Sequence, residues 1–119
     1  MSIDPRLKVP VDQFLKEASN RKVDIALVNL SVLVGKIDGT GQCTFYRNHV
    51  VITINESLFA QHAPDSLALQ YIVFHELGHY LGREHNAHFS IMNPNKFAGE
   101  YRNNDPARVS LIDELFEEL

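Results

Sequence analysis

Cysteine occurs once in the 119 residues, at Cys43, so no intramolecular disulfide is available and packing has to hold the fold. Long apolar runs are missing as well. None approaches the roughly 20 residues that span a bilayer, and the opening MSIDPRLKVP lacks the apolar core of a secretory leader. The expectation is a cytoplasmic protein without membrane attachment; leaderless export, or a leader already removed, is the alternative. Positive charge is sparse. Eleven Lys and Arg stand against fifteen Asp and Glu, a net charge of −4, and only Arg21 and Lys22 are adjacent. That leaves no electrostatic footprint for phosphate and argues against a nucleic-acid partner. The acidic excess gathers in the terminal DELFEEL, as suits a solvated helix face. Repeats, low-complexity tracts and internal linkers are absent too.

What is present is enough apolar material, 45% of the residues, for one small globular core; a monomer is the expectation. PVDQFLKEASNR reads as a helix with Pro10 at its start and Val11, Phe14, Leu15 and Ala18 on one face. VDIALVNLSVLVG is β-rich, predicting a strand from Val23 to about Val28 and another from about Ser31. IDGTGQ is a turn signal. CTFY and HVVITIN then form a tight antiparallel hairpin around Arg47-Asn48, with Asn48 the residue that tolerates positive φ. The next helix, about Ser66 to Leu81 with Asp65 or Ser66 as cap, is apolar nearly all round and therefore central and buried. A final helix starts with Asp105 as cap and Pro106 at its first position, lining Arg108, Leu111, Ile112, Leu115 and Leu119 along one side. Residues 83–104 between these helices read as a long loop.

The chemistry lies in HELGHYLGREHN, residues 75–86. Residues four apart share a helix face, so His75 and His79 present two imidazoles to one point, which suits a small cation with a taste for nitrogen. Glu76 is rotated from them by about 100° and can work on a water without binding the metal. A catalytic zinc usually has three protein ligands. Continued as helix, the chain would carry His85 out of reach; Gly82 can take the left-handed conformation that stops the helix and lets His85 return as the third ligand. Other readings stand beside this one. The two histidines could be incidental, Glu100 could replace His85, or His88 could compete with it, although His88 reads better as a surface residue. His49 and His62 are read as hairpin and loop residues and Cys43 as a free core or edge thiol. Tyr46, Tyr71, Tyr80 and Tyr101 are candidates to face an oxyanion, with nothing to single one out.

HELGHYLGREH resembles the HExxHxxGxxH signature of the metzincin zinc endopeptidases at all five fixed positions, and SIMNP at 90–94 resembles that family's Met-turn, with Met92 as its methionine. At a background of about 5% per residue type, five fixed positions match by chance in far fewer than one chain in ~10³. The resemblance is closest over residues 66–94. It implies an α+β, zincin-like fold: a small twisted mixed sheet with an N-terminal helix, then the active-site helix, Met-turn and C-terminal helix. Residues 1–119 would be a single metallopeptidase domain, with 1–82 carrying sheet and active-site helix and 83–119 the Met-turn and last helix. It further implies one catalytic Zn2+ on His75, His79 and His85, Glu76 as general base, structural roles for Gly82 and Met92, and a peptide or protein substrate. CTFY would be the edge strand, with Thr44 and Phe45 beside the substrate backbone, and Pro94, Asn95 and Phe97 would wall the pocket next to the scissile bond. Some residues depart from the family's patterns. Asn86 after the third histidine matches no common subfamily, Pro94 stands where astacin-like and serralysin-like members carry a tyrosine, and six residues separate His85 from Met92. Two other classes remain open: a binding module with a structural zinc, which would need four protein ligands, and a latent or regulatory protein whose own terminal segment covers the cleft.

Overall fold

The computed structural model describes residues 2–94 and 96–117. Four helices and a mixed four-stranded sheet make an α+β arrangement. The elements are β1 (Ser2–Ile3), α1 (Lys8–Asn20), β2 (Leu30–Gly35), β3 (Gly41–Tyr46), β4 (His49–Asn55), α2 (Leu67–Tyr80), α3 (Ala98–Asn103) and α4 (Asp105–Leu115). The sheet order is β1-β2-β4-β3, with β1, β2 and β4 parallel and β3 antiparallel to β4. CTFY therefore lies in an edge strand, as expected. Period-two alternation buries Leu30 and Val32 of β2 and Ile52 and Ile54 of β4, which join Leu7, Val11 and Phe14 from the N-terminal helical segment and Phe74 and Leu77 of α2 in one core. Phe14 stands edge-on to Phe74, with ring centroids 5.2 Å apart.

Several boundaries differ from the sequence reading. α1 begins two residues before Pro10, behind a 3-10 turn over Pro5–Leu7; proline is tolerated there because first-turn amides have no partner inside the helix. The strand expected at Val23–Val28 does not form. Lys22 at φ 60° turns the chain out of α1, and the irregular segment that follows ends against the Tyr80 hydroxyl, which accepts from the Val28 amide at 3.0 Å and donates to the Val28 carbonyl at 2.8 Å. A side chain thus serves backbone groups that a neighbouring strand would have served. The edge of β2 is taken instead by β1, in register Ser2↔Ser31 and Ile3↔Val32. The hairpin closes on the pair Tyr46↔His49, but Asn48 does not take positive φ; among described non-glycine residues only Lys22 and Asn29 do. Turns with negative φ at both central residues accept most residue types.

α2 is capped by Ser66, whose hydroxyl accepts from the Leu69 amide at 3.2 Å. α4 is capped by Asn104 and not by Asp105: the Asn104 side chain accepts from the Ala107 amide at 3.0 Å, placing Asp105 and Pro106 inside the first turn. Asparagine is as good a cap as aspartate, and it leaves Asp105 free to meet the helix dipole. Leu111, Ile112 and Leu115 are buried as expected, while Leu119 lies outside the described residues. The stretch read as a loop contains α3, pinned by Tyr101, which is fully buried with its hydroxyl on Gln70. No helix among the described residues is long and apolar enough to cross a membrane.

Candidate metal centre

His75 and His79 stand one turn apart on α2, their rings edge-to-face with centroids 4.9 Å apart. The helix stops at Tyr80. Gly82 follows at φ +93°, its amide donating to the His79 carbonyl at 2.9 Å, while the Arg83 amide donates to the Gly78 carbonyl at 2.9 Å. This pair of bonds is the Schellman termination, which needs a left-handed residue at the position Gly82 occupies. The reversal delivers His85 to the histidine pair: its Nε2 lies 3.1 Å from Nε2 of His75 and 3.1 Å from Nε2 of His79.

Nδ1–H of His75 donates to the Ile91 carbonyl at 2.7 Å, and Nδ1–H of His79 donates to the Arg83 carbonyl at 2.9 Å. A carbonyl only accepts, so both rings carry their proton on Nδ1 and aim a bare Nε2 lone pair at the third ring. A proton on His85 Nε2 satisfies one of those lone pairs; a cation satisfies all three nitrogens at once. Metal–nitrogen bonds of about 2.0–2.1 Å at tetrahedral angles set ligand nitrogens about 3.3 Å apart, close to the spacing here. The three residues therefore fit a metal ion. Burial above all holds the His75 and His79 pKa values below the ordinary histidine range, against the opposing pull of their carbonyl hydrogen bonds, so both rings are neutral and ready to ligate. Among the described residues the only such cluster is His75, His79 and His85. His88 and Glu100 are exposed and lie outside it.

Met92, 1% exposed, packs against α2 at Gly78, in a turn whose other members Ser90, Ile91 and Asn93 are also buried. The turn supports the ligands through its backbone, since it is the Ile91 carbonyl that orients His75. Asn86, which the sequence left without a role, ties the loop of His85 to the same turn. Its amide donates to the Met92 carbonyl at 3.3 Å and its side-chain Nδ2 to the Ser90 hydroxyl at 3.2 Å. Gly78 was also missed: a Cβ there would stand 2.5 Å from the Met92 sulfur, so the glycine is what lets the turn press against α2. A glycine inside an otherwise apolar helix was the available signal.

Glu76, 6% exposed, faces a cleft of about 350 Å³ between α2 and β3. Burial pushes its carboxyl up to about 7. Gly41, Cys43 and Phe45 of β3 line the cleft, with Tyr71, Ile72 and the ligand rings opposite and Pro94 at one side. Thr44 falls on the alternate side of the strand and is not a lining residue; Asn95 lies outside the described residues, and Phe97 packs on Phe89 with centroids 4.7 Å apart. Cys43 is half-buried, and burial, with the Glu76 charge adding to it, pushes its thiol up to about 12. Of the tyrosines, Tyr80 and Tyr101 are committed to structural bonds, Tyr46 is exposed at the hairpin, and Tyr71 has a buried hydroxyl without a partner among the described residues. His49 bonds Ser31 across the sheet at 2.8 Å, and neither His49 nor His62 belongs to the metal cluster. Comparison with protein-family models, with curated proteins and with solved structures finds no match to this chain.

Proposed function

We propose that this chain is a zinc-dependent endopeptidase of the metzincin type, with a zincin-like fold, hydrolysing peptide bonds in a peptide or protein substrate. The observation that carries the reading is the convergence of three imidazole Nε2 atoms beside one buried carboxylate, Glu76, in a cleft that borders an edge strand. His75, His79 and His85 would hold the ion. When bound, zinc supplies Lewis acidity, lowering the pKa of a water and polarising a carbonyl.

The remaining work falls to the chain. Glu76 takes a proton from the attacking water and hands it to the leaving amine; a carboxyl lifted by burial toward neutral pH suits both directions of transfer. β3 pairs with β4 along one edge only, so its outer edge offers backbone N–H and C=O groups to an extended peptide. Among the described residues the lining carries no lysine, arginine or aspartate, which favours uncharged side chains next to the scissile bond. A structural zinc module would need a fourth protein ligand, and the described residues bring three. The second reading, a latent or regulatory zinc protein of the same fold, predicts binding of metal without cleavage.

The experiment is cleavage of a mixed peptide library by purified protein with one equivalent of zinc, with chelator, and with zinc restored. Internal cleavages that vanish and return with the metal support the proposal. Full zinc loading without cleavage by the whole chain selects the second reading: a latent protein if end-trimmed protein cleaves, a regulatory one if it does not.

A further inference from the structure

The edge strand does more than border the cleft. A Cβ built on Gly41 would lie 3.1 Å from both Cγ and Oε2 of Glu76, and 3.3 Å from Cδ1 of Ile54. Ile54 is the cross-strand partner of Gly41 and is fully buried, so it has nowhere to retreat. Gly41 is not among the positive-φ glycines, which are Gly39 and Gly82. Its backbone would accept any residue; what it lacks is room. The adjacent sequence GTG reads as a turn, and Gly39 at φ +78° does serve the turn, whereas Gly41 serves the space beside α2.

Glu76 depends on that space. Among the described residues no hydrogen bond and no opposite charge steadies its carboxylate; burial alone acts on it. The stem is fixed by α2, and the head has the bare backbone of β3 at Gly41 on one side and the cleft on the other. We infer that Gly41 is a positioning residue for Glu76, its missing side chain setting where the carboxylate stands relative to the three histidines. The inference rests on the reading of Glu76 as the proton carrier, and it extends that reading to a residue on another element, 35 positions away in the sequence. The three atoms nearest to a Cβ at Gly41 belong to Glu76 and Ile54, and none to a histidine ring.

Gly41→Ala tests it. The substitution pushes the carboxylate by a few tenths of an ångström and leaves the histidines in place. A displacement of 1 Å at a reacting group can cost about 100-fold, so a loss of about tenfold in kcat is expected, with KM within about twofold and one zinc retained. A kcat equal to wild type overturns the proposal, and so does a loss that tracks lost zinc. A second measurement is independent of turnover: thermal unfolding of zinc-loaded Gly41→Ala in the Glu76 and in the Glu76→Ala backgrounds. Gly41→Ala is expected to lower the midpoint by several degrees with Glu76 present and much less without it. Equal lowering in both backgrounds means that the substitution crowds Ile54 instead, and the proposal falls. A variant that folds only in the Glu76→Ala background supports it; one that folds in neither counts against it. Wild-type protein that binds zinc and cleaves nothing defeats the peptidase reading, while the unfolding cycle still decides the Gly41–Glu76 contact.

Discussion

His85 depends on more of its surroundings than the other two ligands do. His75 and His79 stand together as soon as α2 forms; His85 needs the reversal at Gly82 and the anchorage of Asn86 on the Met92 turn. His85→Ala should therefore weaken zinc binding by more than the roughly 10–100-fold that losing an outer-shell partner costs, because a ligand itself is gone. His88→Ala and Glu100→Ala should leave binding near wild type, as both side chains lie outside the cluster. Zinc titration against a competing chelator measures all three; loss of metal in Glu100→Ala with retention in His85→Ala would reverse the ligand assignment. The sequence spoke clearly for the geometry that follows from spacing within one turn or one reversal: His75, His79 and, through Gly82, His85 brought together. It was silent on Gly41 and Gly78, because what they make room for, the Glu76 carboxylate and the Met92 sulfur, lies on other elements.

α2 is wedged between β3 on one side and the Met92 turn on the other, and Gly78 is the point of closest approach. Gly78→Ala puts a methyl 2.5 Å from the buried Met92 sulfur and 3.1 Å from Leu115 Cδ1. Alanine gains up to ~1 kcal/mol of helix propensity over glycine, while overpacking a closed core costs about 1–3 kcal/mol. Met92 is 1% exposed and has little room to swing aside, so the net expectation is a loss of about 1–2 kcal/mol by denaturant unfolding. An unchanged or raised midpoint would mean that the turn gives way freely. The differences in reading elements have two causes. Val23–Val28 has a strand's pattern, yet its last backbone groups bond Tyr80, which is 52 residues from Val28. Periodicity reports that a segment is extended; it does not report whether a strand or a side chain meets it. α3 went unread because it is held by one buried residue, Tyr101, and carries no run of apolar spacing.

At the scale of the whole molecule, the sheet supplies one wall of the cleft, α2 the other, and the chain after Gly82 the last ligand and the supporting turn. The folded protein gathers three nitrogens that the unfolded chain keeps apart, so a metal bound there would link its binding to folding. Free zinc at about 1,000 times its dissociation constant should add about 4 kcal/mol of stability, seen as a thermal midpoint that falls when chelator is added and recovers with zinc. A midpoint indifferent to both would mean that the histidine cluster holds no metal. The most direct test of the central claim separates holding the metal from moving the proton. Glu76→Gln keeps the side chain's shape but cannot accept a proton at neutral pH. Zinc content and peptide cleavage are measured on one preparation of this variant beside wild type. The expected result is one zinc in both proteins and a cleavage rate at least ~10²–10⁴-fold lower in Glu76→Gln; wild-type cleavage by a fully zinc-loaded Glu76→Gln protein would contradict it.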